Sequence, residues 1–443
     1  SEFFSDILCS SFPRYETGTI TYDDAPLTAV LCATAGAENN GGATTPIVYT
    51  VTLSATNNTG QALVIDIADA GTGTATSGVD YTAIPPNATI TIPDGSQTGS
   101  LTVSVIEDFL VEGLEGVNAI FAITDSFTSS QVNLQQAGQE RIVAILDDDA
   151  PLTANLSATP GAENNGGATT PITYTVTLDA INNTGSDLLF DIADAGTGTA
   201  TSGLDYTAIP PNTTITVPDG SQTGSLSVPV LEDLLVEGPE TVNAQISISD
   251  GFTNSQAAVG TADASGSITD DDTAVISIDD VSLDEGDSGT KDFVFTISLD
   301  NPSATLVTVS FLTANGTATI ADNDYTGVGG VAGITPGTTS TPVTVPVKGD
   351  LKVEADETFF VNLNNPVGAT ISDAQGQGTI VNDDTAGISI DDVSLDEGDS
   401  GTTDFTFTIS LDNPSATDVT VDYATTDGTA TVADSDYTQT TGT

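Results

Sequence analysis

The chain of 443 residues contains 63 acidic and only 5 basic residues, which gives it a formal net charge of −58. A surface with so few cations cannot neutralise a phosphate backbone, so nucleic acid is excluded as a partner. The sequence has no run of about 20 apolar residues, and we expect no direct membrane insertion by this segment. Because methionine is absent, we expect a mature fragment or a slice of a longer protein, with any export signal or anchor elsewhere.

Alternation of apolar and polar residues predicts β-strands along the chain. Residues 47–53, 293–299 and 405–411 each place apolar side chains at every second position, with mainly threonine or serine between them. This period of two is typical of half-buried strands. Hydrophobic residues make up 38% of the chain, which argues against the disorder that its acidity alone would suggest. No segment has a sustained helical period, so we predict an all-β protein.

The sequence repeats itself, and the repeats define the predicted domains. The stretch AENNGGATTPI begins at Ala37 and again at Ala162, and DDVSLDEGDSGT begins at Asp279 and again at Asp391. The predicted organisation, in chain order, is the C-terminal strands of a preceding repeat (1–25), three complete repeats (26–149, 150–272 and 273–384) and the N-terminal half of a fourth (385–443). Repeat length and Pro-Gly turns favour immunoglobulin-like antiparallel β-sandwiches in tandem.

The incomplete repeats at the two ends leave two explanations open. Residues 18–24 align without a gap on residues 378–384, so residues 1–24 resemble the last strands of a repeat. The chain is either a window from a longer tandem array, or its two ends complete one another between molecules, because a half sandwich exposes strand edges that pair with other chains. The expected partners are therefore further repeats of the same array or copies of this chain in a filament.

Acidic residues recur at four places in each complete repeat, at predicted strand ends or in loops. A glutamate beside Gly, Asn or Asp lies near the start, and an Asp-Tyr-Thr motif follows it. An acidic loop such as EDFLVEGLE, which begins at Glu107, comes next, and an aspartate run closes the repeat. The tyrosine of the Asp-Tyr-Thr motif is predicted to be a core or corner residue rather than a ligand.

These motifs make the repeats resemble Calx-β domains, which are named for the regulatory calcium-binding domains of sodium/calcium exchangers and are common in bacterial surface and adhesion proteins. The resemblance rests on the Glu-Gly start, the GTATSGVDYT and GTATIADNDYT stretches, the Val-Glu-x-x-Glu segment and the closing Asp-Asp-Asp. It covers essentially the whole chain. In calcium-binding members of the family the ions lie at one end of the sandwich, so the resemblance implies such sites here.

The calcium ligands that the resemblance implies are one set of acidic residues in each repeat. In the first repeat they are Glu38, Asp80, Glu107, Asp108, Glu112, Asp147, Asp148 and Asp149. In the second they are Glu163, Asp205, Glu232, Asp233, Glu237, Asp270, Asp271 and Asp272. In the third they are Glu285, Asp324, Asp350, Glu354, Asp383 and Asp384. The third repeat departs from the pattern at Gly349 and Asn382, which weakens its expected site, and the fourth has only Glu397 and Asp436.

The chemistry of these residues agrees with calcium as the cofactor. Ca²⁺ takes six to eight oxygen ligands, preferably from flexible carboxylates and carbonyls, whereas Mg²⁺ demands a strict octahedron and keeps its waters. Five or more carboxylates at one end of a sandwich repel one another until a cation turns the repulsion into attraction. The absence of histidine and the presence of only two cysteines argue against zinc and copper.

The leading hypothesis is an extracellular calcium-binding structural protein, a rigid stalk or filament for adhesion or matrix with Ca²⁺ at the inter-repeat junctions. The alternative is an adhesin module that binds a cell-surface receptor or a glycan, although 5% aromatic residues and no tryptophan count against a sugar platform. A third hypothesis is a flat threonine face that binds ice or crystals. Without histidine or a phosphate-binding Gly-Lys motif, we expect no catalytic residues and no enzyme.

Two further sequence features carry expectations about an exported protein. Cys9 and Cys32 are the only cysteines, and they form either a disulfide between the N-terminal remnant and the first complete repeat or two buried thiols. Six Asn-x-Ser/Thr sequons fit a surface protein, although threonine-rich sequences also produce them by chance. The sequons are at Asn57, Asn87, Asn155, Asn182, Asn212 and Asn315.

Overall fold

A computed structural model describes residues 25–135 and 140–443. The predicted remnant at 1–24 and the proposed disulfide partner Cys9 lie outside the described residues. The chain divides into two compact units, and the boundary falls within the second repeat. The first unit comprises the residues up to Gly161, Pro171–Val230 and Glu240–Ile268, and the second comprises Ala162–Thr170, Leu231–Pro239 and Thr269–Thr443. Within the described ranges, no helix is both long and apolar enough to span a bilayer.

The first repeat is a sandwich of two sheets. Its elements are β1 (Leu27–Thr34), β2 (Gly36–Ala37), β3 (Ile47–Leu53), β4 (Leu63–Asp69), β5 (Thr89–Ile92), β6 (Thr98–Val103), β7 (Glu115–Ala122), α1 (Ser126–Gln131), β8 (Val132–Leu134) and β9 (Glu140–Leu146). One sheet has the strand order β6-β3-β1-β8 and the other β2-β9-β7-β4-β5. Two pairs are parallel, β1 with β8 and β2 with β9, and the other neighbours are antiparallel.

The predicted alternation of β3 is confirmed, and it builds the core of the first repeat. Ile47, Tyr49, Val51 and Leu53 are at most 1% exposed, while the residues between them are half-buried. The ring of Tyr49 packs against Phe121, with 6.0 Å between ring centroids. Burial of these apolar side chains is the main stabilising contribution to the sandwich.

The second repeat has the same topology. Its elements are β10 (Leu152–Thr159), β11 (Gly161–Ala162), β12 (Ile172–Leu178), β13 (Leu188–Asp194), β14 (Thr213–Val217), β15 (Thr223–Val228), β16 (Glu240–Ser247), α2 (Gly251–Gln256), β17 (Ala257–Thr261) and β18 (Asp263–Thr269). The sheets have the orders β15-β12-β10-β17 and β11-β18-β16-β13-β14, and the core includes Tyr174 and Phe190, each 0% exposed.

The third repeat is a sandwich without a helix. Its strands are β19 (Val275–Ile278), β20 (Val281–Asp284), β21 (Gly289–Leu299), β22 (Val307–Asn315), β23 (Gly329–Ile334), β24 (Ser340–Gly349), β25 (Glu357–Val367), β26 (Thr370–Ile371) and β27 (Gln375–Val381). The sheet orders are β24-β21-β19-β26 and β20-β27-β25-β22-β23. Phe359 lies at the centre of its core, stacked on Tyr325 at 4.6 Å and tilted against Phe293 at 6.0 Å.

The fourth repeat consists of two short strand pairs, and the side chains that would form its core are exposed. Its strands are β28 (Ile388–Ile390), β29 (Ile409–Leu411), β30 (Tyr423–Ala424) and β31 (Thr441–Gly442). Ile388 pairs with Leu411 in the register that Ile276 and Leu299 adopt in the third repeat. Ile388 is 45% exposed, however, whereas Ile276 is 0% exposed.

The two short helices are features that the absence of a helical period did not predict. Each begins after an aspartate that caps it: Asp125 accepts a hydrogen bond from Thr128 N at 2.7 Å, and Asp250 accepts one from Thr253 N at 2.7 Å. The buried Thr128 hydroxyl in turn accepts from Val64 N at 2.9 Å. Six residues are fewer than two helical turns, so capping rather than an apolar stripe defines these helices.

The structure also decides two expectations about single residues. The prediction that the tyrosine of the Asp-Tyr-Thr motif is a core residue is confirmed in the three complete repeats, where Tyr81, Tyr206 and Tyr325 are at most 3% exposed. Tyr437 of the fourth repeat is only half-buried. Two of the six sequons, at Asn57 and Asn182, do not lie at the surface, because both residues are 0% exposed. The Asn57 carboxamide donates to the carbonyls of Gln61 and Ile92, and a buried amide with these bonds cannot carry a glycan.

Candidate metal centres

Parallel strand pairing places the first acidic residues of each repeat side by side. In the first repeat Ala37 of β2 is opposite Leu146 of β9, and Glu38 N donates to the Leu146 carbonyl at 3.0 Å. Because both strands end at the same edge of the sheet, Glu38 and the aspartate run that starts at Asp147 leave it together. Glu38 is only 5% exposed.

The acidic loop after β6 is attached to the same edge by hydrogen bonds from backbone amides. Asn39 N donates to Glu107 Oε2 at 2.6 Å, and Glu112 N donates to Asp147 Oδ2 at 2.8 Å. Asn40 binds the aspartate run twice, through its backbone N–H to Asp148 Oδ2 at 2.9 Å and through Nδ2 to Asp149 Oδ1 at 2.7 Å. The loop and the run are thereby fixed around Glu38.

Two groups of three carboxylates result, and they share one residue. Glu38, Asp108 and Asp149 each offer an oxygen within 4.8 Å of the others, and so do Asp80, Asp108 and Glu112. Asp80 is positioned by the Thr76 backbone amide, which donates to its Oδ2. All eight predicted ligand positions of the first repeat therefore lie at one end of its sandwich, around two adjacent trios.

The crowding of carboxylates changes their acidity. Burial, followed by the charges of Asp108 and Asp147, raises the pKa of Glu38 to about 8. Burial likewise raises the pKa of Glu112, with Asp108 as the next cause, and the pKa of Asp149. Each shift means that the ionised form is disfavoured where it stands unless a positive charge compensates it.

The second repeat repeats these contacts. Asn164 N donates to Glu232 Oε2 at 2.7 Å, Asn165 Nδ2 donates to Asp272 Oδ1 at 2.8 Å, and Glu163 forms trios with two pairs of neighbours. The trios are Glu163 with Asp270 and Asp272, and Glu163 with Glu232 and Asp271. Asp233 and Glu237 lie in the same loop, where Leu235 N donates to Asp233 and Glu237 N to Asp270. Burial and then the charge of Asp233 raise the pKa of Glu163 to about 7.

Asp205 lies in the first compact unit. It accepts a hydrogen bond from the Thr201 backbone amide, just as Asp80 accepts one from the Thr76 amide.

The third repeat has the same arrangement, but with fewer acidic residues and with one basic residue, Lys352, among them. Burial, followed by the charges of Asp350, Glu354, Asp384 and Asp383, raises the pKa of Glu285 to about 7. Asn382 stands where the first two repeats have an aspartate, and its Oδ1 accepts from Glu354 N at 3.3 Å, which is longer than the bond in the other repeats. Lys352 forms an ion pair with Glu354.

Asp324 accepts from Thr319 N at 2.6 Å. In the fourth repeat Glu397 and Asp436 are both exposed.

The structure adds two residues that the sequence did not assign as ligands. Burial, then a hydrogen bond and the charge of Asp80, raise the pKa of Glu115 to about 7. Burial and the neighbouring Asp324 raise the pKa of Glu357 in the same way. Both are the second glutamate of the Val-Glu-x-x-Glu segment, so the signal was present in the motif. The loop enters the next strand at this second glutamate, so its side chain lies at the same end of the sandwich as the ligand three residues earlier.

Carboxylate oxygens that have no hydrogen-bond partner are free to coordinate a cation, so they show whether these residues fit one. Buried polar atoms are ordinarily paired. Among the described residues, each cluster nevertheless has at least one buried carboxylate oxygen that accepts no hydrogen bond, and these are Glu38 Oε2, Glu107 Oε1, Glu115 Oε2, Asp149 Oδ2, Asp272 Oδ2 and Asp384 Oδ2. A donor set made wholly of hard oxygens suits Ca²⁺, and the residues present fit it.

Immunoglobulin-like sandwiches in tandem, each with acidic residues gathered at one end, define a class of repeat protein. The family model of the Calx-beta domain matches residues 35–149, 168–273, 269–394 and 382–443. The chain therefore belongs to the Calx-β family, a family of calcium-binding modules. No curated protein matches it.

Solved structures similar to the chain include both Calx domains and other immunoglobulin-like arrays. The apo form of a Calx CBD1 domain is 23% identical and covers 26% of this chain and 100% of its own, with a TM-score of 0.24. The calcium binding domain CBD12 of CALX1.1 is 19% identical over 48% of this chain and 80% of its own, with a TM-score of 0.22. The titin I-band fragment I67-I69 is 11% identical over 81% and 99%, with a TM-score of 0.22.

Proposed function

We propose that this chain binds Ca²⁺ at the acidic ends of its repeats and that the bound ions stiffen the array into a stalk or filament outside the cell, for adhesion or matrix. Glu38, Asp108 and Asp149 would hold one ion in the first repeat, and Asp80, Asp108 and Glu112 a second. The ion would supply positive charge and would be coordinated by these carboxylate oxygens. The protein supplies the preformed ring of carboxylates and the amides that orient them.

The burial and the electrostatic surroundings of Glu38 are the main support for the proposal. Glu38 is nearly fully buried, its pKa is raised to about 8, and its Oε2 accepts no hydrogen bond from the described residues. Burial of a carboxylate that lacks a donor and faces other carboxylates is costly in the absence of a cation. The pKa values of the equivalent Glu163 and Glu285 are also raised, to about 7, by burial and by neighbouring carboxylates.

A structural role is supported by the position of the first and third clusters at the ends of their sandwiches. The acidic loop of each complete repeat also contacts the repeat that follows it, through Val111, Val236 and Val353. A cation that orders the loop would therefore order the junction as well. Calx-β and immunoglobulin-like folds are non-catalytic domain families, which agrees with a structural rather than an enzymatic role.

Electron microscopy of the chain in calcium, and in a chelator at matched ionic strength, tests the structural role. We expect extended particles with a narrow distribution of inter-repeat angles in calcium and a broad distribution in the chelator. Magnesium serves as the control for divalent charge alone. Identical angle distributions in all three conditions would refute stiffening by calcium. Compact monomers that bind a glycan or a cell-surface receptor would favour the adhesin alternative.

A further inference from the structure

Three consecutive backbone amides, those of residues 110–112, hold the acidic loop of the first repeat, and they donate hydrogen bonds in two directions. On one side, Leu110 N donates to Asp108 Oδ1 at 2.8 Å and Glu112 N donates to Asp147 Oδ2 at 2.8 Å. Both acceptors belong to the acidic cluster. Val111, which lies between the two amides, directs its own backbone groups away from the cluster and towards the second repeat.

The group that receives Val111 is the side chain of Gln256. Its Oε1 accepts from Val111 N at 2.8 Å, and its Nε2 donates to the Val111 carbonyl at 3.0 Å. Gln256 is only 4% exposed and is the last residue of α2, which is fixed by its Asp250 cap and by the bond from Leu189 N to the Thr253 hydroxyl. One carboxamide on an anchored helix thus binds both backbone groups of a residue in the preceding repeat.

The two later junctions make the same two bonds with backbone atoms. Val236 N donates to the Pro302 carbonyl at 2.9 Å, and the Val236 carbonyl accepts from Ala304 N at 3.0 Å. Val353 makes the corresponding bonds with the backbone of residues 414 and 416, at 2.9 and 3.0 Å. Truncating a side chain leaves those backbone groups in place. At the first junction a side chain has replaced them, so a single change can release the loop.

We infer that Gln256 is a positioning residue that couples cation binding in the first acidic cluster to the docking of the second repeat. This inference rests on the proposed function. A bound cation fixes Asp108 and Asp147, which fixes the amides on either side of Val111 and presents Val111 to Gln256. Coupling between two sites is reciprocal. If a bound cation strengthens the contact with Gln256 by some factor, the contact must raise the affinity of the cluster for the cation by the same factor.

The contact lies beside an open cleft. A cleft of about 600 Å³ lies beside the pair, and its lining includes Phe109, Leu152 and Ile181 as well as Val111 and Gln256. Phe109 and Ile181 are each 50% exposed, so these apolar groups border open space. The contact between the loop and α2 therefore includes two direct hydrogen bonds, from Val111 N to Gln256 Oε1 and from Gln256 Nε2 to the Val111 carbonyl.

Gln131 provides a matched control within the same chain. It is the last residue of α1, and its Nε2 donates to Ser130 Oγ at 3.0 Å, as Gln256 Nε2 donates to Ser255 Oγ at 3.1 Å. In the described part of the chain the Gln131 side chain makes no other hydrogen bond. Gln131→Leu therefore removes the same group from the same place on an equivalent helix without touching an acidic loop.

The test is a calorimetric calcium titration of the full chain carrying Glu163→Gln and Glu285→Gln, which leaves the first cluster intact. We expect Gln256→Leu to raise the Kd of that cluster for calcium by roughly 5- to 30-fold, and Gln131→Leu to leave it unchanged. Hydrogen exchange of a peptide covering residues 109–113 gives the reciprocal readout. Calcium should slow exchange of the Val111 amide in the parent chain, and this protection should be lost in Gln256→Leu.

The outcomes separate this inference from the proposed function. If the parent chain binds no calcium, the proposed function fails first. If the parent binds calcium and Gln256→Leu binds it with the same Kd, the coupling is refuted while the proposed function stands. A lower melting temperature of Gln256→Leu with an unchanged Kd would show a merely structural side chain and would equally overturn the inference.

Discussion

Lys352 forms an ion pair with Glu354 at the acidic end of the third repeat, at a position that is leucine in the first two repeats. The hydrogen bond and the charge of Glu354 raise the pKa of Lys352, so its ammonium is charged at neutral pH. A positive charge built into the chain therefore lies among carboxylates that have no such neighbour in the first repeat. The third repeat also lacks the acids that would stand at Gly349 and Asn382.

Replacing Lys352 should strengthen calcium binding by the third repeat. We expect Lys352→Leu to raise its calcium affinity by about 10-fold, because removing a cation a few ångströms away removes a repulsion on the order of 1 kcal/mol or more. Titration in a chain that carries Glu38→Gln and Glu163→Gln isolates this site. Lys348→Leu is the control, since the Lys348 ammonium contacts Asn323 instead. Equal effects of the two substitutions would contradict a specific role for Lys352.

The side chain of Asn40 should matter for calcium affinity, whereas that of Asn39 should not. Asn40 Nδ2 orients Asp149, and loss of a group that orients a ligand costs about 10-fold or more in metal affinity. The Asn39 carboxamide donates only to the Ala43 carbonyl in the described chain, and its contact with Glu107 is through the backbone. Calorimetric titration of Asn40→Ala and Asn39→Ala compares them. Matching affinities would argue against Asp149 as a ligand.

Without calcium, stability should fall as the pH rises. The pKa of Glu38 is raised from an ordinary value of 4.5 to about 8, so between these values the folded chain binds a proton that the unfolded chain has released. Stability from this group is complete below about pH 4.5 and is lost as the pH passes through about 8. Calorimetric unfolding in a chelator between pH 5 and 9 checks the sign. Calcium affinity should rise over the same range, because protons compete for Glu38.

Neutralising Glu38 should have opposite effects in the two metal states. In a chelator Glu38→Gln removes a buried charge that faces other carboxylates, so we expect the melting temperature at pH 8 to rise by a few degrees. In calcium the same substitution removes a ligand, and stabilisation by mass action declines. Asp187→Asn, which changes an exposed acid outside the clusters, should alter neither value. A fall in both conditions would indicate that Glu38 serves packing and not cation binding.

Local sequence predicted the strands of the complete repeats and the acidic positions at their ends. The strand predicted at residues 405–411 is wrong in its first part, because the structure forms only Ile409–Leu411 and leaves Phe405 and Phe407 44% and 47% exposed. Ile47 and its alternate neighbours face the core because a strand has a period of two, and residues such as Glu38 and Asp147 meet because they follow strands that end at one edge. Repetition supplied the alignment that distinguished these acids from others. Asp250, which was not assigned to a site, is a helix cap.

Contacts between residues that are far apart in the chain could not be predicted from local sequence. Val111 and Gln256 are separated by 145 positions, and nothing near Gln256 in the sequence distinguishes it from Gln131. The burial of Asn57 follows from its bonds to Ile92 and Gln61, which a sequon does not reveal. Glu115 escaped assignment because only the first glutamate of its motif was assigned as a ligand.

The measurement that tests the central claim most directly is a calcium titration of the unmodified chain by calorimetry, with magnesium as the comparison. We expect several calcium ions per chain, release of protons on binding near pH 7, and much weaker binding of magnesium. Loss of the strongest sites in a chain with Glu38→Gln, Glu163→Gln and Glu285→Gln should follow. No binding of calcium, or binding that these three substitutions leave unchanged, would contradict the assignment of the acidic ends as calcium sites.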